Sequence, residues 1–289
     1  MSQVKKILVH DTKPVSAGAV LSFTIPSFDT IDDILLNFTN SGAAATKANI
    51  IAAIGKIALA INGEQVINCN LSQIYDLFEF LGNQVQETTL VNVVSLNLGR
   101  LMMKLNVNKD FFAWGCQNIQ TIQLQIYCNG TVTGVTDVQV LTERRAITSK
   151  LGSYIKLINY PQNQSAAGYS TVDTLPRDSQ DSYLLLASYP GTGGVIATGE
   201  CTVNGTNYID ECSVAVMNYT AQARGFKAVG GSFVYLFSDS SARGALPMLG
   251  VTDLRVKTQF STAPSTGTYD ILAVSVKNTP VEMLAAINS

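Results

Sequence analysis

The chain has 289 residues, 46% of them apolar and only 14% charged, with a net charge of −2. That length exceeds the usual single core and suits two domains of ordinary size, and so small a charge supplies no basic field to hold DNA or RNA. Soluble domains commonly carry about 25% charged residues, so here Ser, Thr, Asn and Gln must supply the polar surface, and like-charge repulsion between neighbouring copies is small.

The opening residues, MSQVKKILVHD, hold too few apolar side chains after the lysines for a secretory core. Short strands come first. KKILVH (5–10), VLSFTI (20–25) and ILLNFT (34–39) are rich in β-branched and aromatic residues, and Gly, Asn, Ser or Pro bound them. The most apolar stretch, residues 42–61, is broken by Lys47 and Lys56, so no membrane-spanning helix is expected there. IALAI (57–61) is a strand that ends in the turn Asn62-Gly63. Leu71, Ile74, Leu77, Phe78 and Leu81 then recur at helical spacing. Asn70 caps that helix with Gln73 three residues on, and Gly82 ends it. LVNVVSLNL (90–98), IQTIQLQIYC (119–128) and VTDVQVL (135–141) are further strands. Trp114, in FFAWGC (111–116), reads as a buried aromatic anchor.

Arg144 and Arg145, followed by small polar residues up to Tyr154, read as a solvated linker. The pattern then starts again. YIKLIN (154–159) answers KKILVH, and AAGYSTVDTLP (166–176) answers SAGAVLSFTIP (16–26), with Gly18 over Gly168 and Pro26 over Pro176. SYLLLASYPGTG (182–193) answers DDILLNFTNSG (32–42). The turn Asn204-Gly205 answers Asn62-Gly63, and a helix with Val214, Met217 and Ala221 on one side runs to Gly225. GGSFVYLFSDS (230–240) answers TTLVNVVSLNL (88–98). The spacing is 150 residues at the prolines and 142 at the Asn-Gly turns, which places about eight extra residues within 42–55 of the first half. Six features in one order, with one change of spacing, indicate a unit used twice. Short alternating strands with a single helix per unit predict antiparallel sandwiches, not βαβ units.

Residues suited to chemistry are few. His10 is the sole histidine, so neither a triad nor a histidine metal site is expected. PGTGG (190–194) lacks the Lys-Ser/Thr and the βα setting of a phosphate loop and reads as a hairpin turn. Asp29, Asp32 and Asp33 cluster after the Pro-containing turn of the first repeat, and Asp173, Asp178 and Asp181 after that of the second. They read as solvated loop residues, with Asp29, Asp32 and Asp33 as the calcium candidates; no catalytic group and no other cofactor is expected. Cys69, Cys116, Cys128, Cys201 and Cys212 form no Cys-x-x-Cys and are odd in number, which suits buried thiols made in a reducing cytoplasm.

Specific segments carry a resemblance. VNGTNYIDECSVAVMNY (203–219), GGSFVYLFSDSSARGALPMLGVTDLRVKTQFS (230–261) and GTYDILAVSV (267–276) resemble the second jelly roll of the double jelly-roll major capsid proteins of membrane-containing icosahedral bacteriophages, of the corticovirus type. VTDLRVK (251–257) is the closest local match. TSKLGSYIKL (148–157) and DTLPRDSQDSYLLLAS (173–188) resemble the entry to that domain. VSAGAVLSFTIPSFDTIDDILLNFTNSG (15–42) and INGE (61–64) resemble the opening strands of the first. Tectivirus and adenovirus coat proteins share the fold with larger loops.

The resemblance implies an all-β chain of two tandem eight-stranded antiparallel jelly rolls, residues 1–146 and 147–289, each with one short helix before its late strands. It implies a non-enzymatic virion protein made in a bacterial cytoplasm, whose homotrimer presents six sandwiches in a ring and tiles an icosahedral shell around an internal membrane. The partners implied are other copies of the chain, other capsid and membrane-associated virion proteins, and the internal lipid membrane. The stretch 42–55, present in one repeat only, and the tail TPVEMLAAINS (279–289), which opens with a helix-capping pattern at Thr279, Pro280 and Glu282, are candidates for such contacts. Two rivals stand beside this reading. A carbohydrate-binding or glycan-processing tandem sandwich needs exposed aromatics and a carboxylate pair across a cleft. A minor vertex or spike protein of the virion usually needs only one jelly roll.

Overall fold

The computed structural model describes residues 5–82, 91–97, 112–238 and 244–277; the expected tail helix lies outside them. The chain divides into two compact units, Met1–Ile155 and Lys156–Ser289. The first runs through β1 (Lys5–Pro14), β2 (Val20–Thr24), β3 (Thr30–Asn40), β4 (Ala43–Ala44), α1 (Lys47–Ala53), β5 (Ile54–Ile61), β6 (Glu64–Asn70), α2 (Leu71–Phe80), β7 (Val93–Ser95), β8 (Trp114–Gly115), β9 (Ile122–Cys128) and β10 (Asp137–Arg145). Its strands pair antiparallel in two sets. One is β1-β10-β3, with β4, β7 and β8 along the far side of β3; the other is β6-β5-β9-β2.

The second set of elements is β11 (Tyr154–Asn163), β12 (Gly168–Val172), β13 (Asp181–Tyr189), β14 (Val195–Val203), β15 (Thr206–Ser213), α3 (Val214–Ala223), β16 (Phe233–Leu236), β17 (Leu246–Pro247), β18 (Leu254–Thr262) and β19 (Thr268–Lys277). They pair as β11-β19-β13, with β16 and β17 beside β13, and as β12-β18-β14-β15. In both units the first, third, late-middle and last strands share one sheet, and the second, fourth, fifth and next-to-last share the other. That alternation between facing sheets is the jelly roll. Counting β7 with β8 and β16 with β17 as interrupted single strands, and setting aside the two-residue β4, each unit has eight among the described residues.

The alternation in the sequence becomes burial. In β3, Ile34, Leu36 and Phe38 are fully enclosed, and so are Val138 and Val140 of β10 beside them. Facing positions Ile57, Leu59, Leu124 and Ile126 close the core. β13 and β19 are buried on both faces, which matches their unbroken apolar runs.

Asn62 and Asn204 show that the duplication extends to individual hydrogen bonds. Both take positive φ (50° and 48°), each followed by a positive-φ glycine, as a two-residue hairpin turn requires. The Asn62 amide donates to the Asn118 carbonyl, and its Oδ1 accepts from the N–H groups of Gln120 and Thr121. The Asn204 amide donates to the Gly250 carbonyl, and its Oδ1 accepts from the N–H groups of Thr252 and Asp253. Each asparagine thus clasps the loop that leads into the next-to-last strand. The spacing falls from 142 residues at the asparagines to 132 at these loops, so the first unit is longer between helix and loop as well.

Helix α2 forms where expected. Asn70 and Gln73 make a reciprocal capping box, and Leu71, Ile74, Leu77 and Phe78 are buried. Burial of each such side chain contributes roughly 1.5–3 kcal/mol. The extra stretch in 42–55 is α1, capped by Thr46. PGTGG is a tight turn, closed by Gly194 N–H donating to the Gly191 carbonyl, but it joins β13 to β14 in different sheets, so it is a corner and not a hairpin. Trp114 is buried as an anchor. Among the described residues no helix is long and apolar enough to cross a membrane.

Candidate functional site: charge clasps and exposed apolar faces

The aspartates expected in solvated loops are mostly structural. Asp32 and Asp33 lie within β3 and are buried. Asp32 accepts from Arg145 Nε at 2.7 Å, and Lys5 Nζ stands 3.7 Å from its other oxygen. Asp33 accepts from the Ser95 hydroxyl and from the N–H of Asn97, tying β3 to the segment around β7. Asp29 has positive φ (56°), and its carbonyl accepts from Cys116 N–H. The carboxylates of Asp32 and Asp33 are thus turned to separate partners. Among the described residues no group of three or more His, Cys, Asp or Glu side chains is gathered to hold a metal.

Arg144 and Arg145 are not a solvated linker. They end β10 and are buried, each against acceptors from other parts of the first unit. Arg144 donates to Thr142 Oγ1 (2.8 Å) and to the carbonyls of Phe28 (2.5 Å) and Pro26 (2.6 Å), and it stacks 4.2 Å from the Phe28 ring centre. His10 Nε2 lies 2.7 Å from the same Thr142 oxygen. Burial, and then the charge of Arg144, hold the His10 pKa below its ordinary value.

The second unit repeats the clasp. Lys277, ending β19, pairs with Asp178 and stands 3.5 Å from Asp181 at the head of β13; Lys156 of β11 is 3.7 Å from Asp181. The scheme is the same in both units: a base at the end of the last strand, a lysine in the first strand, and an aspartate opening the third. Burial raises the Asp181 pKa against the pull of Lys156 and Lys277. Asp178, at the surface, is lowered, chiefly by its hydrogen bond from Lys277. Asp173 is exposed. The sequence reading paired the carboxylates with each other and missed Lys5, Arg145, Lys156 and Lys277, whose roles depend on strand pairing across more than 90 residues.

Among the described residues, β1 and α3 each carry a pair of strongly exposed apolar side chains. On β1, an edge strand with one neighbour among the described residues, Ile7 and Val9 are 66% and 59% exposed. On α3, Val216 and Tyr219 are 52% and 74% exposed, and Tyr208 of the preceding edge strand β15 is 49% exposed. The sequence held a sign of the second: VAVMNYTAQA contains no charge at all, unusual for a helix face in water. The thiols differ from these surfaces. Cys69, Cys116 and Cys201 are buried, and burial pushes Cys69 and Cys201 up to about 12.

A family model described as the N-terminal domain of the viral coat protein P2 matches residues 7–169, more than half of the chain. The chain belongs to this coat-protein family. A coat protein is a structural, non-enzymatic part of the virion capsid and works by associating with copies of itself. Solved structures agree on the fold over the whole length. The major capsid protein P2 of bacteriophage PM2 aligns with a TM-score of 0.76 at 16% identity, covering 96% of this chain and 98% of that one. The major capsid protein of Sulfolobus turreted icosahedral virus aligns at 0.68 and 16% identity, covering 98% and 99%. The capsid of the virus PBCV-1 aligns at 0.65 and 12% identity, covering 94% and 92%. At such identities the likeness is one of fold, the double jelly roll. No curated protein matches the chain by sequence.

Proposed function

We propose that this coat protein is the major capsid protein of an icosahedral virus with an internal membrane, and that it assembles as a trimer. The observation that carries the reading is the duplication itself. Two jelly rolls per chain with the same internal clasps let three chains present six similar units, which is what a six-neighbour lattice position requires. The likeness to the PM2 capsid protein across nearly both chains supports the same reading. We take the two jelly rolls as residues 1–146 and 147–289. In support, β10 closes the first at Arg145 and β11 opens the second at Tyr154. Trimer–trimer contacts, other virion proteins and the membrane are the remaining partners of the proposal. Light scattering after size exclusion tests it: a particle near three times 30.9 kDa is expected, and a clean monomer at all concentrations removes the trimer.

A further inference from the structure

Helices α2 and α3 occupy the same place in the two jelly rolls, directly after the fifth main strand, yet their surroundings differ. α2 buries Ile74, Tyr75, Leu77, Phe78 and Phe80, whereas α3 buries only Met217 and Ala221 and leaves Ala215, Val216, Tyr219 and Ala223 in solvent. The first strands differ in the opposite sense. β11 buries Tyr154, Ile155 and Leu157, whereas β1 shows Ile7 and Val9. Among the described residues, one helix and one first strand bury their apolar side chains, and the other helix and the other first strand expose theirs.

The two bare surfaces also differ in charge. β1 carries Lys5, Lys6 and Lys13 against one aspartate, Asp11. The strand leading into α3 carries Asp210 and Glu211 and no base, and α3 itself is uncharged. The second unit thus exposes apolar side chains next to an acidic strand, and the first exposes an apolar pair on a strand that carries lysines. Such a pair of unlike surfaces suits a head-to-tail contact, which closes into a ring if the rotation permits, and burial of Tyr and aliphatic side chains within a charged rim is the usual anatomy of an interface.

We propose that the partner of the α3 face is the β1 strand of a second copy of this chain: Ile7 and Val9 of one copy pack against Val216 and Tyr219 of the next, with the exposed Lys6 of β1 on the side of Asp210. The inference rests on the trimer reading and names the surface that makes it.

Light scattering and thermal unfolding of the full chain and two variants test it. Val216→Lys with Tyr219→Lys places positive charge against the lysines of β1. Ile7→Glu with Val9→Glu places negative charge against Asp210. Each variant alone is expected to fall to the mass of one chain while still unfolding cooperatively, and an equal mixture of the two is expected to associate again, because each retains the face that the other has lost. Wild-type mass in both variants, or loss in the α3 variant alone, overturns the proposed contact while leaving the trimer standing. A monomeric wild type overturns the trimer, and the contact with it. Should a variant fail to fold, Ile7→Cys with Tyr219→Cys in the otherwise unaltered chain is expected to cross-link between chains on oxidation, with each single variant as control. No cross-link overturns the contact.

Discussion

Single residues in this chain act through what they face. Arg145 neutralises Asp32 in a buried setting, so Arg145→Ala leaves a buried carboxylate, which Lys5 meets only at 3.7 Å. A loss of about 3 kcal/mol is expected in denaturant unfolding, and Arg145→Met with Asp32→Leu should recover most of it, because the uncompensated charge is gone. His10 is held below its unfolded pKa of 6.5. A depressed folded value means that the unfolded chain binds the proton first. The stabilisation from neutral His10 is therefore present above pH 6.5 and lost as pH falls below it. The stability difference between wild type and His10→Gln should shrink on acidification through that range; a difference independent of pH would contradict the lowered pKa. Gly199 is required for a different reason. A Cβ there would stand 2.5 Å from the ring of the fully buried Phe233. Gly199→Ala should cost roughly 1–3 kcal/mol through displacement of that ring.

Elements repeat in kind but not in surroundings. The Asn-Gly turns have one geometry and one set of bonds to the loop before the next-to-last strand, so Asn62→Ala and Asn204→Ala should destabilise alike, each by roughly 1–3 kcal/mol from lost left-handed preference and lost hydrogen bonds. Unequal costs would show that the two clasps are alike in form only. The helices should behave in opposite ways. Ile74→Ala in α2 empties a packed site and should cost about 2–4 kcal/mol, whereas Tyr219→Ala in α3 should leave unfolding of the single chain nearly unchanged. Both helices were legible from spacing and terminal glycines, and the first also from its cap at Asn70. That α3 shows an apolar face was readable only as an absence of charge, since spacing locates a helix but does not say which of its sides another surface covers.

For the molecule as a whole, Asp32, Asp33, Asp178 and Asp181 are committed to Arg145, Ser95, Lys156 and Lys277, so a chelator should change neither the mass in solution nor the melting temperature. A fall in either on chelation would reveal a calcium site that these contacts do not suggest. The sequence by itself determined the duplication, the antiparallel strands and the two helices, because period-two alternation, turn residues and helical spacing are local signals that each segment carries within itself. Only the tertiary structure decided that the arginines before Tyr154 are buried, that the aspartates face bases in other strands, that PGTGG turns a corner between sheets, and that β1 and α3 are left bare. Those outcomes depend on which strands meet across long separations, and in a jelly roll, where neighbours in space such as β1 and β10 are more than 100 residues apart in sequence, pairing is set by the packing of the whole unit.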